Sequence, residues 1–294
     1  MSPVKKGILY EVFTYVFWGL MPLYWRLLVF ASPLRILGGR ITFALFFAVL
    51  VLFLRGNRKW LLLFTVPEKR LFVILAGLTV TINWGLYIWA VNNGHTIEAS
   101  VGYYINPLIS ILLALVFLRE HLSVLQWAAF GFAALGVFLV TLFSGVFPWI
   151  SLGLAITFGV YGFFKKKNKT ETLESLAAET LIVLPLGLVL FVFPSEDLLS
   201  FSPRQYALLV STGIITALPL YTFAKGAKLI PLSTLGFLQF ISPTILFILG
   251  VFVFGENFSP KMLVAYGFIW TAVVLYCFSL NNKQNDKPEN HESS

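Results

Sequence analysis

The sequence predicts an all-α membrane protein in which ten transmembrane helices form two inverted five-helix repeats. Three observations predict it: long stretches without a formal charge, an uneven division of Lys and Arg between alternate loops, and a Pro/Glu pattern that returns 136 residues later. The chain is 58% hydrophobic and only 12% charged, whereas about a quarter of a soluble domain is charged. Charge-free runs occupy 71–97, 99–118, 122–164, 205–224, 229–255 and 262–282, and roughly 20 helical residues cross about 30 Å of hydrocarbon. The longest run, 122–164, has to cross twice, with "FSGVFPW" at 143–149 as its Gly/Pro turn and Trp149 at the headgroup level. Further spans are expected at 8–30, 36–55 and 176–194, which makes ten. The first segment is longer than a signal peptide's apolar region and lacks a small-residue cleavage pattern, so it reads as the first span. A single cysteine, Cys277, excludes an internal disulfide.

Orientation follows from the basic residues. Sixteen of the 21 fall in one set of alternate loops: Lys5 and Lys6, the 55–70 loop, Arg119, the 165–169 cluster, Lys225 and Lys228, then Lys283 and Lys287. The other set holds Arg26, Arg35, Arg40, Arg204 and Lys261. The positive-inside rule therefore puts both termini in the cytoplasm. The net charge of +8 reports orientation and not a nucleic-acid partner. The polar tail 281–294, "NNKQNDKPENHESS", is expected to be disordered.

The recurrence pairs Pro107 with Pro243, Glu120 with Glu256, Ser123 with Ser259 and Ile105 with Ile241. "YIWA" at 87–90 echoes "YTFA" at 221–224, and "FWG" at 17–19 weakly echoes "TFG" at 157–159. Two repeats are expected, 1–145 and 146–280, each of five spans. An odd span count makes the second repeat start on the opposite side of the membrane from the first, and inverted repeats of this kind are a device of secondary transporters. Duplication can also leave a mere scaffold.

Proline lacks an N–H, so the carbonyl four residues earlier loses its helical partner: Tyr103 for Pro107 and Gln239 for Pro243. In hydrocarbon such a carbonyl is tolerated where it lines a polar cavity or is buried in protein. Tyr103, Asn106 and Ser110 share one helix face, and Gln239 and Ser242 hold matching register in the second repeat. Pro22 and Pro219 are two further expected kinks. Asn83 and Tyr87 lie four apart in the third span beside Trp84 and Trp89, the last suited to an interfacial belt. Tyr15, Trp18, Pro22 and Trp25 form a stripe in the first span, and Tyr161 stands near Trp18's corresponding position in the sixth. These residues suit a solute with a flat or amphipathic part, although aromatic stripes and polar pairs also serve plain helix packing.

Charged groups within spans are functional candidates because they are costly there. Glu179 could pair with a lysine, bind a proton or snorkel to the surface. Glu11 lies one to two turns into the first span. Arg35 and Arg40 enter the second span, where one could form a gate salt bridge or recognise an anion. Glu120 and Glu256 end their helices, where capping or a loop salt bridge is the default expectation.

Several segments together, "FWGLMPLYWR" (17–26), "NWGLYIWAVNNGHTIEASVGYYINPLIS" (83–110), "LREHLS" (118–123), "TFGVYGFFKKK" (157–167) and "LSTLGFLQFISPTILFILGVFVFGE" (232–256), resemble the RarD-type branch of the EamA family in the drug/metabolite transporter superfamily. The resemblance runs from about residue 7 to 280. It implies ten helices around a central cavity, both termini in the cytoplasm of a bacterial inner membrane, and a permease linked to chloramphenicol sensitivity, with export as its direction. Lys165–Lys167, directly after the sixth span, depart from the pattern but agree with a cytoplasmic position.

Other classes fit poorly. Asp occurs only at 197 and 286, outside the spans, so no aspartyl dyad can form in the membrane. Three histidines without HExxH, and no GxSxG or GxxxxGK[ST], argue against zinc and serine hydrolases and against ATP-driven transport. No cofactor is expected. The partners expected are membrane lipid and a small-molecule substrate. A passive facilitator or a non-transporting scaffold remains as the alternative class. Trp18, Asn83, Tyr87, Tyr103, Asn106, Tyr161, Gln239 and Ser242 are the candidate substrate contacts, and Glu11, Arg40 and Glu179 the candidates for coupling or gating. Substrate identity and oligomeric state are not legible.

Overall fold

The computed structural model describes residues 1–57, 59–93, 95–145, 148–167, 170, 172–194, 200–255 and 260–285. Glu256, Ser259, Lys169, Arg58 and the 286–294 part of the tail lie outside them. The described residues form eleven α-helices: α1 Pro3–Trp25, α2 Pro33–Leu54, α3 Pro67–Asn92, α4 Thr96–Phe117, α5 Val124–Ser144, α6 Trp149–Lys167, α7 Thr172–Val192, α8 Pro203–Leu229, α9 Leu232–Gln239, α10 Ile241–Phe252 and α11 Pro260–Asn285. Three starts share one local cause. Ser2, Ser32 and Ser202 sit in extended backbone before Pro3, Pro33 and Pro203, and each serine accepts a hydrogen bond from the backbone three residues on. The serine satisfies an otherwise unpaired N–H, and proline at the first helical position has none to satisfy.

The uninterrupted apolar run 122–164 divides where expected, because α5 stops at Gly145 in the left-handed conformation, φ 70°. Pro243 has the clearest effect of the internal prolines. Without its N–H the chain cannot hold the ladder bond to Gln239, and the helix breaks at Phe240 between α9 and α10. Pro22, Pro107 and Pro219 sit inside helices that continue through them. Eight segments are long and apolar enough to cross a membrane, counting 232–252 as one. α1 and α6 are the two long helices outside that set. Glu11 and five tyrosine or tryptophan residues from 10 to 25 dilute α1, and Lys165–Lys167 dilute α6.

The packing is a ring. Taking α9 and α10 together, α1 packs on α8, α8 on α2, α2 on α7, α7 on α3, α3 on α6, α6 on α4, α4 on α9, and α9/α10 return to α1. α5 and α11 pack on each other outside it. Neighbours in the ring therefore come from opposite halves of the chain. Close approach depends on small residues: a Cβ on Gly236 would meet the Pro107 carbonyl oxygen at 2.8 Å and Ile111 at 2.7 Å. The buried centre consists of Tyr15, Tyr161, Phe223, Leu232 and Leu235, with Trp18, Trp84 and Phe158 packed against them.

Candidate functional site

Two tyrosines on inward helix faces touch solvent. On α4, Tyr103 shares its face with Pro107, Ser110 and Ala114, four, seven and eleven residues on. Ser110 and Ala114 are 1% and 0% exposed, yet Tyr103 is 46% exposed. On α3, Tyr87 shares its face with Ala76, Val80 and Trp84 and is 36% exposed, against 0% and 5% for Ala76 and Val80. Lipid-facing positions lie on the other side of α4, at Leu112 and Val116. Tyr103 lies near the start of α4 and Tyr87 near the end of α3, the end of the bundle at which α2 also begins. Both side chains are accessible although their helix faces turn into the ring, so they border a hollow between the helices. The two tyrosine rings meet edge-on across it, centroids 6.2 Å apart.

Arg40 stands at the same depth, seven residues inside α2 as Tyr103 is seven residues inside α4. At 1.5 Å per residue both lie about 10 Å from the helix start. The Arg40 guanidinium sits between the Trp25 and Trp84 rings, 5.1 and 5.2 Å from their centroids, and its Nε donates to Thr216 Oγ1 at 3.1 Å. Tyr87 and Tyr103 lie within its electrostatic reach. Beneath this group an aromatic floor closes the hollow. Trp18 packs on Tyr15, Phe158 and Phe223 with centroids 5.5 to 5.7 Å apart, and Tyr161 stacks on Phe223 at 5.8 Å.

The opposite end is sealed by polar ties. Lys165 Nζ donates to Glu179 Oε1 at 2.7 Å and to Ser175 Oγ at 3.2 Å. Lys166 binds the Ala227 and Ile230 carbonyls at 3.3 and 2.5 Å, where a cation complements the C-terminus of α8. Glu120 caps α9, accepting from Leu232 N at 2.7 Å, Ser233 N at 3.0 Å and Ser233 Oγ at 2.6 Å. Arg119 just before it adopts φ 52°, an uncommon conformation for a non-glycine residue. Capping is thus the role of Glu120, while Glu256 lies outside the described residues. Glu11 is fully buried against Gly226, with Tyr15 and the Ala227 backbone as its polar neighbours and no well-aligned hydrogen bond among the described residues. Tyr15 stands within electrostatic reach of both Glu11 and Gln239.

The candidate residues thus divide into groups. Tyr87, Tyr103 and Arg40 line the hollow, Trp18 and Tyr161 belong to its floor, and Gln239 lies in the sealed half, 4% exposed, accepting from Ser110 Oγ at 3.2 Å. Asn83 ties α3 to α6 through Leu154 O and Thr157 Oγ1, each at 2.9 Å. Ser242 donates to Tyr15 O at 2.6 Å, a bond between α10 and α1. Asn106 is 8% exposed, and its Oδ1 has no hydrogen-bond partner among the described residues. Lys165 departs from its expected place in a cytoplasmic loop cluster: its side chain is 1% exposed and inside the bundle. Its spacing from Glu179 carried no signal, since the two sit on different helices. Trp25 and Trp84 as the flanks of Arg40 were also not legible, because three separate helices bring them together. Among the described residues no group of three His, Cys, Asp or Glu is placed to hold a metal ion.

Comparison with known proteins agrees with this architecture. The profile of the EamA-like transporter family matches the chain twice, at residues 5–142 and 148–278. The chain belongs to that family. Within the EamA family it is similar to the uncharacterised transporter YojE of Bacillus subtilis, 41% identical over 95% of each chain. It is also similar to the protein RarD of Streptomyces exfoliatus, 41% identical over 92% of this chain and 88% of that one. The protein is therefore a RarD-type EamA protein. A crystal structure only 19% identical superposes with a TM-score of 0.71, covering 92% of this chain and 96% of its own, and so shares the fold. This EamA chain is accordingly a multi-pass membrane protein of the drug/metabolite transporter type.

Proposed function

We propose that the protein is a secondary transporter that moves a small organic solute across the bacterial inner membrane by alternating access. Its ten crossings comprise two inverted halves, 1–145 and 146–280, with both termini cytoplasmic and export as the net direction. The observation that carries this reading is the solvent exposure of Tyr87 and Tyr103 on inward faces, above an end closed by Lys165–Glu179, Lys166 and Glu120. A hollow open at one end and sealed at the other is one of the two states that alternating access requires. The packing supports the repeat as well. Advancing every span by five, with α9/α10 as the ninth and α11 as the tenth, carries the ring onto itself and the α5–α11 pair onto itself. The double match to one family profile points the same way.

The solute site in this reading is the hollow formed by Arg40, Trp84, Tyr87 and Tyr103 over Trp18, with Asn106 beside it. Glu11 is the better placed of the two acids for proton coupling, because Glu179 is already engaged by Lys165. Counterflow in proteoliposomes tests the proposal: solute loaded on the far side accelerates uptake by a carrier, leaves flux through a facilitator unchanged, and does nothing for a scaffold. Flux indifferent to trans solute overturns alternating access.

A further inference from the structure

We infer that Arg40 is the anchor for an anionic substrate and that the transported class is small organic carboxylates with a flat apolar body. The inference rests on the carrier reading of the hollow and names its substrate class. It starts from a charge without a countercharge. Arginine does not neutralise itself by losing its proton, and a charge this deep in a membrane-spanning bundle is costly without a partner. The other deep cations have partners of their own. Lys165 pairs with Glu179, and Arg35, 0% exposed, donates to the Phe191 and Pro194 carbonyls at 3.0 and 3.2 Å near the end of α7. Arg40 pairs with no carboxylate among the described residues; its neighbours are the Thr216 hydroxyl, two indole faces and the Tyr87 and Tyr103 side chains.

The geometry also fits a carboxylate better than a generic anion. The bond from Nε to Thr216 and the flanking rings of Trp25 and Trp84 hold the guanidinium plane in place, leaving its terminal N–H groups for a ligand. A held fork of this kind matches the two oxygens of a carboxylate bidentately. Tyr87 and Tyr103 stand beside it, partly exposed, with the Trp84 and Trp18 rings leading to the floor. These surfaces accept a planar apolar remainder and offer hydroxyls at its edge. An ammonium group placed there would meet the guanidinium with like charge.

The test uses the full chain, purified in detergent, and isothermal titration calorimetry as the binding signal. The probes are benzoate, its neutral isostere benzamide and the cation benzylammonium, with indole-3-acetate and indole-3-acetamide as a larger pair. At least one carboxylate should bind tenfold or more tightly than its amide, and benzylammonium weakest of all. Arg40→Gln should remove that preference by weakening the carboxylate to the level of the amide. Arg40→Lys, which keeps the charge but not the fork, should retain only part of it. Arg204→Gln, at an exposed position in the first turn of α8, should retain it all. Circular dichroism and thermal unfolding establish that each variant is folded. If no carboxylate is preferred in the unmodified protein, or if the preference survives in both Arg40 variants, the inference is overturned. Carboxylate binding without counterflow would leave the anion site standing while the carrier reading fell, and counterflow of neutral solutes alone would do the reverse.

Discussion

Lys165 and Glu179 form an ion pair 2.7 Å long whose side chains are 1% and 3% exposed, joining the last turn of α6 to the second turn of α7. Removing one partner of a buried pair strands the other charge, at a cost of about 3–5 kcal/mol, whereas replacing both by apolar residues is often neutral or stabilising. Lys165→Met and Glu179→Leu should each lower the unfolding temperature sharply, and the double variant should recover most of the loss. A double variant no more stable than either single one would show that the pair is not the main partner of either charge.

Glu120 fixes the start of α9 through three hydrogen bonds. Glu120→Ala should cost about 1–2 kcal/mol, the usual worth of a helix cap. Because the cap closes the sealed end, the same variant should make a cysteine at Leu235, 0% exposed in this conformation, reactive to a soluble thiol reagent. Glu120→Gln should restore part of the protection, as its side-chain oxygen still accepts.

The hollow is open to labelling. In a Cys277→Ser background, Tyr87→Cys and Tyr103→Cys should react with a membrane-impermeant maleimide applied from the open side, while Tyr161→Cys, 1% exposed at the native tyrosine, should not. Equal reactivity at 103 and 161 would remove the distinction between an open and a sealed half.

Glu11 is fully buried, with Tyr15 and the Ala227 backbone as its polar neighbours. Glu11→Gln has nearly the same shape and cannot carry the charge, so it should fold with stability within about 1 kcal/mol of the parent. On the proposed coupling role it should abolish the dependence of uptake on a pH gradient while leaving solute counterflow intact. An undiminished response to the gradient would assign coupling elsewhere.

A Cβ on Gly236 has no room against the Pro107 carbonyl, which is backbone and cannot rotate away. Gly236→Ala should therefore destabilise by about 1–3 kcal/mol, the range for overpacking. Gly267→Ala, where nothing lies within 4 Å, is the matched control and should be neutral or slightly stabilising.

The membrane class, most of the helices and the turn near Gly145 were legible because each depends on short-range chemistry: apolar length and a glycine after a helix. Glu120, expected to cap or to form a loop salt bridge at the end of its own helix, caps the start of α9 instead, far along the chain. The site was less legible. Tyr103, Asn106, Gln239 and Ser242 were grouped by register, yet Gln239 and Ser242 engage Ser110 and the Tyr15 carbonyl instead of the hollow. Register says which residues share a helix face but not which helix that face meets.

What the amino-acid order determined alone was a set of apolar helices, their ends, and a repeated pattern, since hydrogen bonding within a helix and partition into hydrocarbon act over a few neighbouring residues. Only the tertiary structure decided which polar groups find one another. Lys165 met Glu179, Arg40 came to lie between two tryptophans, and Glu11 came to lie beside Tyr15. The ring interleaves the halves of the chain, so each ring helix packs between partners from the opposite half. Charge compensation acts over a few ångströms of space, and that distance is set by packing, not by position along the chain.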